Sequence, residues 1–220
     1  VILLGDQYLA DCSVSTDRFD FSRVRVERHL SDGEEYREKG KRRYEITDTG
    51  VSPRIIPGRV PGTIVTVDSD EHDEHGHITE SADVRVRMSD KRMRKMRIIA
   101  ENDLEEPEFI GPESFDTLLV SWGSLHGPVK EALRLLNRED GRRYAALVFG
   151  DIWPFPAERL LEKAEKAADI INVEQNATGQ LGSLIREETG VKCTGGILRY
   201  DGRPMSSQDI CRRMKEMQAS

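Results

Sequence analysis

Apolar and polar positions divide the chain into three stretches of different character. Val1-Ile2-Leu3-Leu4-Gly5 is a continuous apolar run, the pattern of a strand covered on both faces, and the stretch to about Asp11 is the start of a loop. From 12 to 113 charge, Gly and Pro dominate and apolar periodicity is poor. Pro53, Pro57, Gly58, Pro61 and Gly62 punctuate this stretch into turns. Val60 and Ile64-Val65-Thr66-Val67 read as short extended pieces, and 68–77 is very polar. A basic helix is expected over 83–99, with Asp90 near its start and Met93, Met96 and Ile99 on one side. So long a stretch with so little regular structure is unusual inside one domain, and it reads as an arm between domains or subunits.

From 114 to 220 the pattern alternates. Thr117–Trp122, Tyr144–Phe149 and Ile170–Val173 are apolar runs of strand length. Gly127-Pro128 opens a helix carrying Val129, Leu133 and Leu136, with the proline where its missing N–H costs nothing. Pro156-Ala157-Glu158 opens a second helix, with Leu160, Leu161, Ala164 and Ala168 along one side. A third is expected over Thr178–Thr189, ended by Gly190. The fold class implied is α/β, a mostly parallel sheet with helices on both faces.

Composition narrows the partners. The 220 residues are 37% hydrophobic and 33% charged, with a net charge of −7, which argues against nucleic acid or an anionic membrane surface. No apolar stretch has the length of a membrane span. The start has neither a basic region nor a signal-like apolar core, so a cytoplasmic location is expected. It also has no Met, and Val1–Gly5 reads as a strand from a larger fold, so a longer natural product is expected. Cys12, Cys193 and Cys211 have no ligand spacing and argue against a disulfide framework or a cluster held by this chain alone.

Four features carry candidate chemistry. Gly123, Ser124 and Gly127 join a strand to a helix start, where backbone N–H groups can hold an anion such as the phosphates of coenzyme A; the plainer reading is a tight turn. Asn176 is placed to cap the following helix, with a substrate or subunit contact as the alternative. Arg54 sits in a proline-bounded turn, ready for a carboxylate or for a surface ion pair. His72, His75 and His77 lie among acidic residues; a metal site is conceivable there, but a solvated acidic loop is the expectation, so no metal ligand is assigned. The basic run 91–97 reads as a solvated helix face, with docking of an acidic protein as the alternative. Trp153 and Phe155 read as packing around a proline-stiffened turn.

The order of several segments resembles the alpha subunit of 2-oxoacid:ferredoxin oxidoreductases. They are Gly5–Asp11, Gly50–Arg54 with Pro57-Gly58, Glu71–Thr79, Trp122-Gly123-Ser124, Pro154-Phe155-Pro156, Glu174–Leu181 and Tyr200–Pro204. Glu71–Thr79 and Glu174–Leu181 resemble the 2-oxoglutarate branch. The resemblance implies thiamine diphosphate-dependent oxidative decarboxylation of a 2-oxoacid to acyl-CoA, with electrons passed to ferredoxin. It implies thiamine diphosphate, Mg2+, iron–sulfur clusters and CoA in the whole complex and none on this chain alone. The partners implied are a beta subunit, with gamma or delta subunits in some complexes, and ferredoxin. It places 1–11 at the end of the pyrimidine-binding domain, 12–113 in a linker arm, and 114–220 in a domain like the transketolase C-terminal domain. The family's "YPITPSS"-like segment and its glutamate do not appear. The chain is therefore expected to be a C-terminal part, mainly structural and inactive alone. A stand-alone phosphate-binding α/β module and a metal-binding protein are the rival readings.

Overall fold

The computed structural model describes residues 5–219 apart from Glu27, His29, Lys39, Lys41 and Asp140. The strand expected at the start lies, except for Gly5, outside the described residues. In chain order the helices are α1 (Gln7–Asp11), α2 (Gly33–Glu38), α3 (Ala82–Asn102), α4 (His126–Glu139), α5 (Glu158–Ala164), α6 (Gln180–Thr189) and α7 (Ser207–Gln218). The strands are β1 (Glu108–Ile110), β2 (Thr117–Trp122), β3 (Tyr144–Phe149), β4 (Asp169–Glu174) and β5 (Gly195–Leu198). Two units divide the chain: Val1–Val14 with Leu104–Ser220, and Ser15–Asp103.

The first unit is built on one sheet of order β1-β3-β2-β4-β5. β2 pairs in parallel with β3 and β4, and β4 with β5; only β1, against β3, runs antiparallel. This is the mostly parallel α/β sheet that the alternation of apolar strands and amphipathic helices predicts. Side chains alternate across it. Leu118, Val120, Ala145, Leu147, Phe149 and Ile170 pack with Leu160 of α5 and with Leu181 and Ile185 of α6. Leu119, Ala146, Val148, Ile171 and Val173 pack on the other face with Val129, Leu133 and Leu136 of α4 and with Ile210 and Met214 of α7. Helices therefore cover both faces, which is why the central strands read as unbroken apolar runs.

Two details of this unit differ from expectation. Leu160 is fully buried but Leu161 is 42% exposed, because neighbours in a helix point about 100° apart and cannot share a face. α5 stops at Ala164, and Ala168 instead donates its N–H to the Asp116 carbonyl at 2.9 Å. β1, β5 and α7 have no counterpart among the expected elements, and the expected loop before Asp11 is instead the helix α1. α7 starts with a capping box in which Ser206 and Asp209 satisfy each other's backbone N–H groups.

The second unit is organised around α3, which begins at Ser81, whose hydroxyl accepts the Val84 N–H at 3.4 Å. Asp90 is thus in the middle of the helix, not near its start. Met93 is 65% and Ile99 37% exposed, and the buried positions are Met88 and Lys91. The reason is polar: the inner face of α3 rests on loop backbone. Lys91 donates to the Tyr44 carbonyl at 2.6 Å and Arg94 to the Thr47 carbonyl at 2.5 Å. The extended pieces expected at Val60 and 64–67 form no strand among the described residues; Ile64 is 85% exposed.

Candidate functional site

The carboxyl ends of β2 and β4 lie side by side, and the residues that follow them form the best-built polar centre of the sheet. β4 alternates Ile170, Asn172 and Glu174 toward α6 with Ile171 and Val173 toward the opposite core. Glu174 is completely buried. One carboxylate oxygen accepts from Asn172 Nδ2 at 2.6 Å, from the Leu181 N–H at 2.9 Å and from the Gly182 N–H at 3.3 Å. The other accepts from Trp122 Nε1 at 3.2 Å and from Asn176 Nδ2 at 2.6 Å. Two of these donors belong to the first turn of α6, whose amide groups have no partner within the helix. The negative charge also faces the positive end of that helix.

Asn176 completes the start of α6. Its Oδ1 accepts the N–H groups of Thr178, Gly179 and Gln180 at 3.1, 2.7 and 3.4 Å. The side chain therefore makes the backbone contacts of a cap while its amide nitrogen holds Glu174. Sequence reasoning singled out Asn176 but missed Glu174. The available signal was an acidic residue closing an apolar strand and an asparagine two positions before it.

Trp122-Gly123-Ser124 leaves β2 through a single 3-10 turn, Gly123–Leu125, into α4. Ser124, Asn176, Gln175 and Gln180 line a cavity of about 460 Å3 together with Asp6 and Trp122. Gly123, Ser124 and Asn176 are thus brought together. Gly127 is exposed and does not line this cavity, and Arg54 lies in the other unit. Ser124 donates its hydroxyl to the Asp6 carboxylate. That bond, followed by the Leu9 N–H, holds the Asp6 carboxyl below the usual carboxylate range. An anion arriving at Ser124 would have to displace this carboxylate, so the cavity favours hydrogen-bond donors and neutral polar groups over phosphate.

The histidine loop has a structural explanation. The Asp73 carboxylate accepts the N–H groups of His75 and His77 at 2.9 and 3.0 Å, closing the turn. Glu71 pairs with Arg92 of α3 at 2.5 Å and with Arg85 at 3.5 Å. The Arg92 hydrogen bond pulls the Glu71 carboxyl below its ordinary range. His72 packs on the Tyr44 ring with centroids 4.1 Å apart. Among the described residues no three His, Cys, Asp or Glu side chains converge as metal ligands.

The cysteines do not fit an iron–sulfur cluster held by this chain. Cys193 packs against the core under α5 and α6, and Cys211 against the core under α4 and α7, so the sheet separates them. Cys12 is exposed. Burial, and secondarily the Glu174 charge, push the Cys193 thiol up to about 11. Alkylation by iodoacetamide at pH 7.5, followed by mass spectrometry, should therefore modify Cys12 more than about tenfold faster than Cys193. Equal rates would contradict this placement of Cys193.

Comparison with known proteins agrees with these features. Residues 116–210 match the family model of pyruvate:ferredoxin oxidoreductase core domain II. The chain is 36% identical over 222 aligned residues to the alpha subunit of 2-oxoacid:ferredoxin oxidoreductase 2 of Aeropyrum pernix, covering 99% of this chain and 34% of that one. It is 31% identical over 172 residues to the corresponding alpha subunit of Saccharolobus solfataricus, covering 77% and 26%. Among solved structures it superimposes on 2-oxoglutarate:ferredoxin oxidoreductase from Magnetococcus marinus with a TM-score of 0.71 and 30% identity, over 79% of this chain and 30% of that one. That structure holds 2-oxoglutarate, coenzyme A and succinyl-CoA. The chain spans about a quarter to a third of the length of the alpha subunits it matches. It belongs to the family of 2-oxoacid:ferredoxin oxidoreductase alpha subunits.

Proposed function

We propose that this chain is a segment of a thiamine diphosphate-dependent 2-oxoacid:ferredoxin oxidoreductase acting on 2-oxoglutarate, and that its own share is architecture and subunit assembly. The observation that carries this reading is the 36% identity to an alpha subunit over nearly the whole chain. The likeness to an enzyme whose solved structure holds 2-oxoglutarate supports that oxoacid. In such an enzyme thiamine diphosphate supplies the carbanion-stabilising chemistry and CoA takes up the acyl group. The chain's own residues do other work. Glu174 and Asn176 fix the turn between β4 and α6, and Trp122 ties the end of β2 to it. The cavity beside them opens at the carboxyl edge of the parallel sheet, the edge where α/β proteins take their ligands. Clusters belong on other polypeptide, because Cys193 and Cys211 are separated by the sheet and Cys12 is exposed apart from both cores. Beta, and in some complexes gamma or delta, subunits complete the enzyme, with ferredoxin as acceptor. A free phosphate-binding module and a metal-binding protein gain no support from the family relationship.

The test is co-expression of the chain, joined to the remainder of an alpha subunit, with its beta subunit. The purified complex should reduce ferredoxin with 2-oxoglutarate and CoA at least about tenfold faster than with pyruvate, a discrimination of about 1.4 kcal/mol. An assembled complex that reduces ferredoxin with no 2-oxoacid ends the reading; a preference for pyruvate ends the 2-oxoglutarate assignment.

A further inference from the structure

In a chain of net charge −7, the Ser15–Asp103 unit contains a cavity of about 450 Å3 lined by six cations, Arg28, Arg43, Arg54, Lys91, Arg92 and Lys95. Among the described residues no aspartate or glutamate lines it. Of the six, Arg92 pairs with Glu71. Arg28, Arg43, Arg54 and Lys95 have no carboxylate within ion-pair distance among the described residues. Arg54 instead spends its guanidinium on the Arg28 carbonyl, at 3.0 and 3.1 Å, which draws those two residues together. Arg43 stands 5.3 Å from the Tyr44 ring centroid.

Lys91 makes the arrangement unusual. It is 3% exposed, and its ammonium donates to one backbone carbonyl, that of Tyr44. Burial, then the charges of Lys95 and Arg92, bring its amine down to about 8. A buried cation beside further cations is costly unless something negative shares the space. Glu74 contributes some of that charge but is bound to the Ile46 N–H at 3.0 Å and does not line the cavity.

We propose that this cavity is a binding site for a diphosphate group, free or carried on a small organic molecule. The choice of diphosphate follows from charge and geometry. Four arginine forks and two lysine point charges suit several tetrahedral oxyanions held at once. A dicarboxylate would leave most of the positive charge unanswered, whereas a diphosphate brings three to four negative charges in a small volume. The Tyr44 ring at the wall offers an apolar surface beside the cations, and Ser52 donates its hydroxyl to the Glu45 carbonyl at 3.1 Å. Neither the sheet nor the Ser124 cavity takes part, so the site does not rest on the enzymatic reading above.

The test is calorimetric titration of the chain with pyrophosphate at low ionic strength, alongside citrate as a carboxylate of similar charge. Pyrophosphate should bind saturably with one site per chain, at least tenfold tighter than citrate. Arg43→Gln and Lys95→Gln should each weaken it at least fivefold with unchanged circular dichroism. Arg134→Gln, in α4, should leave the affinity as it is. A parallel titration with adenosine diphosphate identifies the source: tighter binding than pyrophosphate assigns a diphosphate ester, weaker binding the free ion, and both uphold the site. No saturable binding, equal affinity for citrate, or equal loss in Arg134→Gln overturns it.

Discussion

Glu174→Ala is expected to destabilise the sheet-bearing unit by about 3–5 kcal/mol, the cost typical of stripping a buried polar centre of its charged member. The substitution would leave five donors without an acceptor: the Trp122 indole, the Asn172 and Asn176 amides, and the Leu181 and Gly182 backbone N–H groups. Two of these are backbone groups at the start of α6 that no neighbouring turn can satisfy. The Glu174→Gln variant separates charge from shape. Its single carbonyl oxygen can serve one of the two donor sets, and its amide then points at the other. A loss of roughly 2–3 kcal/mol is expected for it, since donor facing donor leaves both unsatisfied. Denaturant titration by circular dichroism gives both values, and the fluorescence of Trp122 should shift at the same midpoint. If Glu174→Ala unfolds within about 1 kcal/mol of the parent, the carboxylate is not the acceptor on which this turn depends.

Gly50→Ala should cost the second unit about 2–4 kcal/mol, from two additive causes. Gly50 has φ +74°, a left-handed conformation that disfavours a side chain. A Cβ there would also run into the Lys91 carbonyl oxygen and approach the Lys95 backbone nitrogen to 3.1 Å. Both belong to α3, whose backbone cannot retreat without breaking its ladder. Gly58 isolates the first cause: its φ is +79° and a Cβ would meet nothing within 4 Å. Gly58→Ala should therefore lose only about 1–2 kcal/mol. Hydrogen exchange of the α3 amides reads out both variants. Equal protection in Gly50→Ala and Gly58→Ala would show that the turn does not abut the helix.

The parts that sequence reasoning read well are those where one physical signal dominates. β2 and β3 coincide with the expected strands and α4 starts one residue before the expected Gly127, because strands buried on both faces are apolar without interruption and α4 repeats Val129, Leu133 and Leu136 on one side. β5 was invisible: two of its four residues are glycines and an arginine follows. α7 was missed although Ser206 and Asp209 carry the spacing of a capping box, because Arg212, Arg213 and Lys215 dilute its apolar stripe. α3 was found, but its inward face was misjudged. Apolar periodicity cannot report a helix held by lysine and arginine on backbone carbonyls. The Glu174 centre was half legible, since Asn176 and Glu174 are close in sequence while Trp122 lies 52 residues from its acceptor. The cationic cavity gathers residues from 28 to 95; Arg54, His72 and the basic run 91–97 stand out separately in the sequence, but nothing in their spacing brings them together.

β1 is only three residues long, runs against the direction of the other strands, and lies between Pro107 and Gly111-Pro112. Prolines on both sides have no N–H to offer a further strand, and the short ladder begins with a glutamate. Without it the fully buried β3 would present a straight, apolar, unpaired border to other molecules in a crowded solution. The short antiparallel strand at this border thus acts as a stopper against edge-to-edge aggregation.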